Sequence, residues 1–396
     1  MILRRTVLYL GLSQLVCWGT AYYLIGGFGS VIAAELGWSR DLVYGGFSAA
    51  LLVMGFASPY TGRLIDRHSG RAVMAVGSVL IALGCVGIGL SHGIALYYAS
   101  WICLGVAMRF TLYDAAFATL ARIGGPSARR SMSQITLFGG LASTVFWPFG
   151  HMLTEAVGWR GALFVYAAVA LATLPLHLAI PGNRQGETMP SATPVAGPPV
   201  EKPPLAASPS DSFVAGALYA VITTAVNFLN SGMSAHMINI LAGLGLAAGV
   251  AVWIATLRGI GQSLARLAEI LFGARLDVFG LNMLSTALLP IAFLVGMASG
   301  VFVPAAVAFA FVYGGGNGLT TITRGTLPLA LFDRSTYGLV VGRLLMPSFI
   351  VSAASPIVYA TIIDRFGNQA ALVLSIAVAC LALAAAAALQ FRFRGR

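Results

Sequence analysis

The sequence predicts an all-α membrane protein with twelve transmembrane helices in two pseudo-symmetric halves of six. Three observations carry that prediction. Only 9% of the 396 residues are charged and 58% are hydrophobic, with a mean hydropathy of +0.88, whereas a soluble domain is about 25% charged. Apolar runs of the ~20 residues needed to cross a bilayer recur along the whole chain. The net charge of +11 is spread over short gaps between those runs. That is the topogenic pattern of a membrane protein and not the basic patch of a nucleic-acid binder.

Taken in order, the runs place spans near 6–33, 42–61, 72–90, 94–119, 132–153 and 161–180, then 213–240, 246–271, 281–300, 303–323, 337–361 and 370–391. The first follows Arg4 and Arg5 and is longer than a signal-peptide core, so it reads as an uncleaved span. Arginines then cluster at alternate ends: Arg63, Arg67 and Arg71; Arg122, Arg129 and Arg130; Arg184; Arg275; Arg324 and Arg334; Arg392, Arg394 and Arg396. The opposite ends hold Arg40, Arg160 and Arg365, each near an acid in sequence. By the positive-inside rule both termini are cytoplasmic in a cell membrane, plasma or bacterial inner. Between spans six and seven, residues 181–212 carry eight prolines and no apolar period, the signature of an extended linker. The expected organisation is a six-helix half over 1–180, a cytoplasmic Pro-rich linker over 181–212, and a second six-helix half over 213–396. An offset of about 208 residues lays Pro148 on Pro356, the weak internal symmetry of a two-repeat transporter. Cys17, Cys85, Cys103 and Cys380 all fall inside apolar runs without metal or disulfide spacing, so no cofactor and no metal are expected.

Gly62-Arg63-Leu64-Ile65-Asp66-Arg67-His68-Ser69-Gly70-Arg71 after span two resembles the G-x-L-x-D-R-x-G-R-R loop of the major facilitator superfamily. Ser69 stands where that signature has its second glycine. The resemblance implies the major facilitator fold and a gating role for Gly62, Asp66, Arg67 and Arg71. Three further segments are similar to the monocarboxylate and oxalate/formate branch: Leu36-Gly37-Trp38-Ser39-Arg40, Gly158-Trp159-Arg160-Gly161 and Leu257-Arg258-Gly259-Ile260-Gly261-Gln262-Ser263-Leu264-Ala265-Arg266. On that likeness Arg266 takes the substrate-binding arginine position. Gln262 falls where proton-coupled carriers of the branch have an aspartate, which puts their coupling scheme in doubt here.

Charges inside a span are costly and mark functional candidates. In span eight, Arg258, Gln262, Arg266 and Glu269 lie within about 80° of arc at 100° per residue. That polar stripe must face protein or water and not lipid. An arginine there suits a carboxylate, because its planar fork donates two parallel hydrogen bonds; the competing reading is a structural pair of Arg266 with Glu269. In span four, Arg109 and Asp114 should point about 140° apart on a continuous helix. Each then needs another partner: Asp114 reads as the most buried carboxyl and the candidate proton carrier, or as one side of a helix-to-helix ion pair with Arg343 or another cation. Span seven offers Thr223, Asn227, Asn230 and Ser234; span ten offers Tyr313, Asn317, Thr321 and Arg324; span one offers Gln14, Trp18 and Tyr22. The family resemblance implies that spans one, four, seven and ten line the cavity; the plainer reading of these residues is interhelical hydrogen bonding.

The function expected is secondary active transport by alternating access of a small, monocarboxylate-like organic anion. Arg266 anchors it, and Arg258 or Arg109 adds positive potential. Gln262, Asn227, Asn230, Asn317, Trp18 and Tyr22 add selectivity. A proton is the expected co-substrate, with Asp114 as the candidate carrier and Glu269 as a second proton-coupling residue or a structural or gating one. The expected partners are the anion, the proton and the bilayer, with no nucleic acid and a monomeric state. The alternatives are a proton-coupled exporter of drugs or other metabolites, and a membrane sensor that binds without transport. No nucleophile–base pair or phosphate-binding glycine loop points to an enzyme.

Overall fold

The computed structural model describes residues 3–124, 128–182, 205–206, 208–272, 276–332 and 337–394. Regular structure among them is helical throughout. The first part of the chain forms α1 (Arg4–Cys17), a π-helical turn (Trp18–Tyr22), α2 (Leu24–Leu36), α3 (Arg40–His68), α4 (Gly70–Gly89), α5 (Ile94–Thr111), α6 (Tyr113–Gly124), α7 (Ala128–Gly140), α8 (Ala142–Leu171) and α9 (Thr173–Leu178). The second part forms α10 (Pro209–Gly243), α11 (Ala248–Phe272), α12 (Val278–Gly296), α13 (Val303–Leu331), α14 (Tyr337–Phe366) and α15 (Asn368–Phe393).

Nine helical stretches among the described residues are long and apolar enough to cross a membrane. One of them, Ser131–Leu178, spans 48 residues and turns at Gly158, whose φ of 70° no helix permits. It therefore forms two arms. α3 and α11 are long enough, at 29 and 25 residues, but more polar. α11 shows why polarity does not exclude a bilayer. Trp253, Leu264, Leu267 and Leu271 face outward while Arg258, Gln262 and Arg266 are buried. The helix is apolar outside and polar inside, as a lipid-facing element requires. The chain is a multi-pass membrane protein.

Small residues set the helix spacing. A Cβ on Gly314 would meet the Arg258 backbone, and one on Gly318 would sit 2.5 Å from the Gln262 carbonyl oxygen. These glycines let α13 approach the α11 backbone closely, and that contact aims the α11 stripe inward. α12 and α15 pack outside this pair. The earlier helices meet the later ones along α3 against α14, α2 against α10, and α7 and α8 against α11.

Three expectations change. The helix of span four breaks at Leu112, whose ψ of −173° is extended. The signature 62–71 is not a loop: α3 runs through His68, and Ser69 alone makes the turn at φ 78°. Ser69 thus holds a positive φ where the signature has a glycine, which costs about 1–3 kcal/mol. Arg122 Nη1 donates to the Ile65 carbonyl at 2.7 Å and pins the end of α3. Gly62, Arg67 and Arg71 are solvent-exposed, while the Asp66 and Arg343 side chains lie outside the described residues, as does most of 181–212. The end of that Pro-rich segment is anchored. Leu205 and Ala206 N–H donate to the Ala330 and Leu331 carbonyls at 3.3 and 3.0 Å, covering two of the orphan acceptors of the α13 C-terminus. Ser208 then caps α10, which begins at Pro209, a turn earlier than expected.

Candidate functional site

A cavity of about 110 Å³ lies between the two sets of helices. Its α10 residues run from Tyr219 to Asn230 and its α13 residues from Asn317 to Leu327. It therefore occupies the half of the bundle nearest the Pro-rich segment. Beyond Asn230 the helices are sealed together. The Tyr44 ring lies 4.0 Å from His236, Asn239 donates to the Tyr44 hydroxyl at 2.5 Å, Thr361 donates to Asp41 at 3.1 Å, and Arg40 pairs with Asp364 at 3.3 Å. Arg40 thus bridges α3 to α14 and does not turn to its sequence neighbours. Arg160 pairs with Glu35 at 3.1 Å, and its Nη1 reaches the Gly89 and Ser91 carbonyls. The Gly158 turn is what frees Trp159 and Arg160 to reach α2.

Three members of the α11 stripe are buried and point inward: Arg258, Gln262 and Arg266 are 0%, 5% and 2% exposed. Gln262 and Arg266 line the cavity; Arg258 does not. Arg266 has all three guanidinium nitrogens engaged. Nε donates to the Gly318 carbonyl at 3.5 Å, Nη1 to the Thr136 carbonyl at 2.5 Å and Nη2 to Thr321 Oγ1 at 3.1 Å. It ties α7 to α13 across the cavity wall. Its partner is not Glu269, which makes no ion pair among the described residues and does not line the cavity.

Arg258 sits behind the wall, between the Tyr23 and Tyr313 rings at 5.4 and 5.3 Å. Its Nη2 donates to Asn230 Oδ1 at 2.5 Å, and its Nε and Nη1 have no hydrogen-bond partner among the described residues. Asn230 is the hub of this region. Oδ1 also accepts from Asn317 Nδ2 at 3.0 Å, and its Nδ2 donates to the Tyr22 hydroxyl at 3.2 Å. One amide on the cavity wall thus joins α10, α11, α13 and the π turn. Such turns interrupt helices frequently at functional sites. Here the turn rotates Trp18 onto the cavity while Tyr22 stays behind it. Trp18 stacks edgewise on Tyr22 at 4.8 Å and tilts against Tyr113 at 4.9 Å. Asn227 and Thr223 line the cavity, and Asn227 also donates to Ser348 at 3.0 Å.

The span-four expectation is corrected. The break at Leu112 swings α6 around, so Asp114 pairs directly with Arg109. Asp114 is 54% exposed, not buried, and neither residue lines the cavity. Sequence reasoning missed Asn282, Tyr23, Tyr219, Gly139, Thr320 and Thr323, all on the cavity wall. Asn282 had a readable signal, because it is the only amide side chain in 281–300. Among the described residues no group of His, Cys, Asp or Glu could hold a metal, and all four cysteines are free thiols.

A family model described as the Major Facilitator Superfamily matches residues 10–257. The chain is 32% identical over 136 residues to an uncharacterized 38 kDa protein in the 23S RNA operon of Thermoproteus tenax, covering 34% of this chain and 35% of that one. It is 33% identical over 144 residues to monocarboxylate transporter 11 of Homo sapiens, covering 34% and 30% of the two chains. The chain spans about a third of the length of the curated relatives it matches. Among solved structures, a mutant of the nucleoside transporter NupG superposes with a TM-score of 0.73 over 98% of this chain and 99% of that one. At 14% identity that likeness establishes the fold.

Proposed function

The chain belongs to the Major Facilitator Superfamily, and we propose that it is a secondary transporter, not an enzyme, that moves a small organic anion by alternating access. One observation carries the choice of an anion. Among the described residues, the cavity wall holds two arginines, Arg266 and Arg324, with amides, hydroxyls and aromatic rings, and no aspartate or glutamate. An exporter of cations would place its acids there. A carboxylate entering the cavity offers Arg266 two oxygens in the plane of its fork, a stronger pairing than its present neutral carbonyl and hydroxyl partners. Binding would then draw Arg266 away from Thr136 and loosen α7 from α13. The names of the monocarboxylate transporter relatives support the same substrate class. With both termini in the cytoplasm, the cavity opens to the cytoplasmic side and the Tyr44–His236 contacts close the outer side.

A proton is the proposed co-substrate. Asp114 is its candidate carrier, because protonation removes the charge that holds Arg109 beside the helix break at Leu112. Tyr113, next in the chain, lines the cavity and donates to the same Thr136 carbonyl that Arg266 uses, so movement at the break reaches the site.

The test is thermal unfolding of purified protein with small carboxylates, inorganic anions, cations and lipophilic drugs, with Arg266→Gln in parallel. A ligand of the native state raises the melting temperature as RT ln(1 + [L]/Kd). Stabilisation by a carboxylate, lost in Arg266→Gln, is the expected result. Stabilisation by cations or drugs alone, or an unchanged carboxylate response in Arg266→Gln, refutes the anion reading.

A further inference from the structure

α12 packs on the outer side of α13 and contributes one residue to the cavity, Asn282. Its side chain is 1% exposed, and neither its Oδ1 nor its Nδ2 has a hydrogen-bond partner among the described residues. Burying an amide without hydrogen bonds is unfavourable. The neighbouring polar groups of α12 are satisfied: Ser285 and Thr286 donate to the Asn282 backbone carbonyl at 2.9 and 2.8 Å. The amide alone is left open, and it is open toward the cavity. Thr320 and Thr323, on the facing stretch of α13, spend their hydroxyl protons on backbone carbonyls at 2.9 and 3.2 Å. They cannot donate to Asn282 at the same time. Asn282 lies in the second turn of α12, one end of the cavity, and Asn230 marks the other.

We propose that Asn282 is a second recognition pole, which takes a neutral group able both to donate and to accept hydrogen bonds at the end of the substrate remote from its carboxylate. A carboxamide or a hydroxyl has that chemistry. The inference rests on the anion reading above and sharpens it from a carboxylate to a carboxylate with a distal polar group. An unpaired buried amide penalises a ligand that leaves it unpaired, and this makes the pole selective as well as attractive.

Three probes of nearly equal shape test it: succinamate, whose distal carboxamide donates and accepts; levulinate, whose distal ketone only accepts; and 4-methylpentanoate, whose distal group does neither. Affinities come from the concentration dependence of the melting temperature, in wild type, Asn282→Leu and Asn282→Thr. Succinamate should bind wild type about tenfold or more tightly than 4-methylpentanoate, with levulinate between. Asn282→Leu should bring the three within about threefold of one another by weakening succinamate, and Asn282→Thr should retain part of the preference. Binding of all three to wild type without discrimination, or a preference that survives in Asn282→Leu, overturns this proposal alone. Failure of all three to bind wild type overturns the anion reading and this proposal with it.

Discussion

Asn230→Leu removes the hub of the buried network while keeping its branched shape and heavy-atom count. Three hydrogen bonds disappear: from Arg258 at 2.5 Å, from Asn317 at 3.0 Å and to Tyr22 at 3.2 Å. Side-chain hydrogen bonds between membrane helices average about 0.6 kcal/mol and reach about 1.7. Two neutral bonds at the mean and one charge-assisted bond at the upper value total about 3 kcal/mol. The larger part belongs to Arg258, which is fully buried and whose other nitrogens have no hydrogen-bond partner among the described residues; its remaining support is the two tyrosine faces, worth about 2 kcal/mol when desolvated. The assay is unfolding in mixed micelles by added SDS, followed by tryptophan fluorescence. A double-mutant cycle with Arg258→Met separates the charge from the packing. Once the charge is gone, Asn230→Leu should cost at least about 1 kcal/mol less than it does in wild type, because neighbours in one network do not add. A loss below about 0.5 kcal/mol for Asn230→Leu, or strict additivity in the cycle, would refute the hub.

Three further outcomes are expected. Asp114→Asn should change stability by no more than about 1 kcal/mol, since Asp114 is half-exposed and such pairs contribute little; in proteoliposomes it should abolish stimulation of uptake by a pH gradient and leave counterflow intact. Gly318→Val should destabilise by about 1–3 kcal/mol through overpacking, because its Cβ would press on the Gln262 backbone, and it should also weaken carboxylate stabilisation by turning the α11 stripe. Glu269→Gln should leave micelle stability within about 0.5 kcal/mol of wild type, as expected of a side chain without an ion-pair partner among the described residues.

The spans were legible because a bilayer demands long apolar runs, and those runs leave few alternatives to helix. The α11 stripe was legible for a related reason. A polar face repeated at helical spacing inside a membrane can only point inward, and Arg258, Gln262 and Arg266 do so. What stayed hidden were departures from a continuous helix. Nothing at Leu112, neither glycine nor proline, announces the break that pairs Arg109 with Asp114. An angular argument that assumes one straight helix therefore gave the wrong partners. The π turn at Trp18–Tyr22 is equally silent, and it decides that Trp18 lines the cavity while Tyr22 stands behind it. Pairings between distant helices, such as Arg40 with Asp364, depend on how the bundle closes, which sequence proximity does not encode. Asn282 was missed for another reason: it sits on a helix that contributes nothing else to the cavity, so no stripe drew attention to it.

The most direct test of the account is counterflow of a labelled small carboxylate into proteoliposomes preloaded with the unlabelled compound, comparing wild type with Arg266→Gln. The account predicts protein-dependent accumulation by wild type and little above protein-free liposomes for Arg266→Gln. Absence of counterflow by wild type across a panel of small carboxylates, or undiminished counterflow by Arg266→Gln, would contradict it.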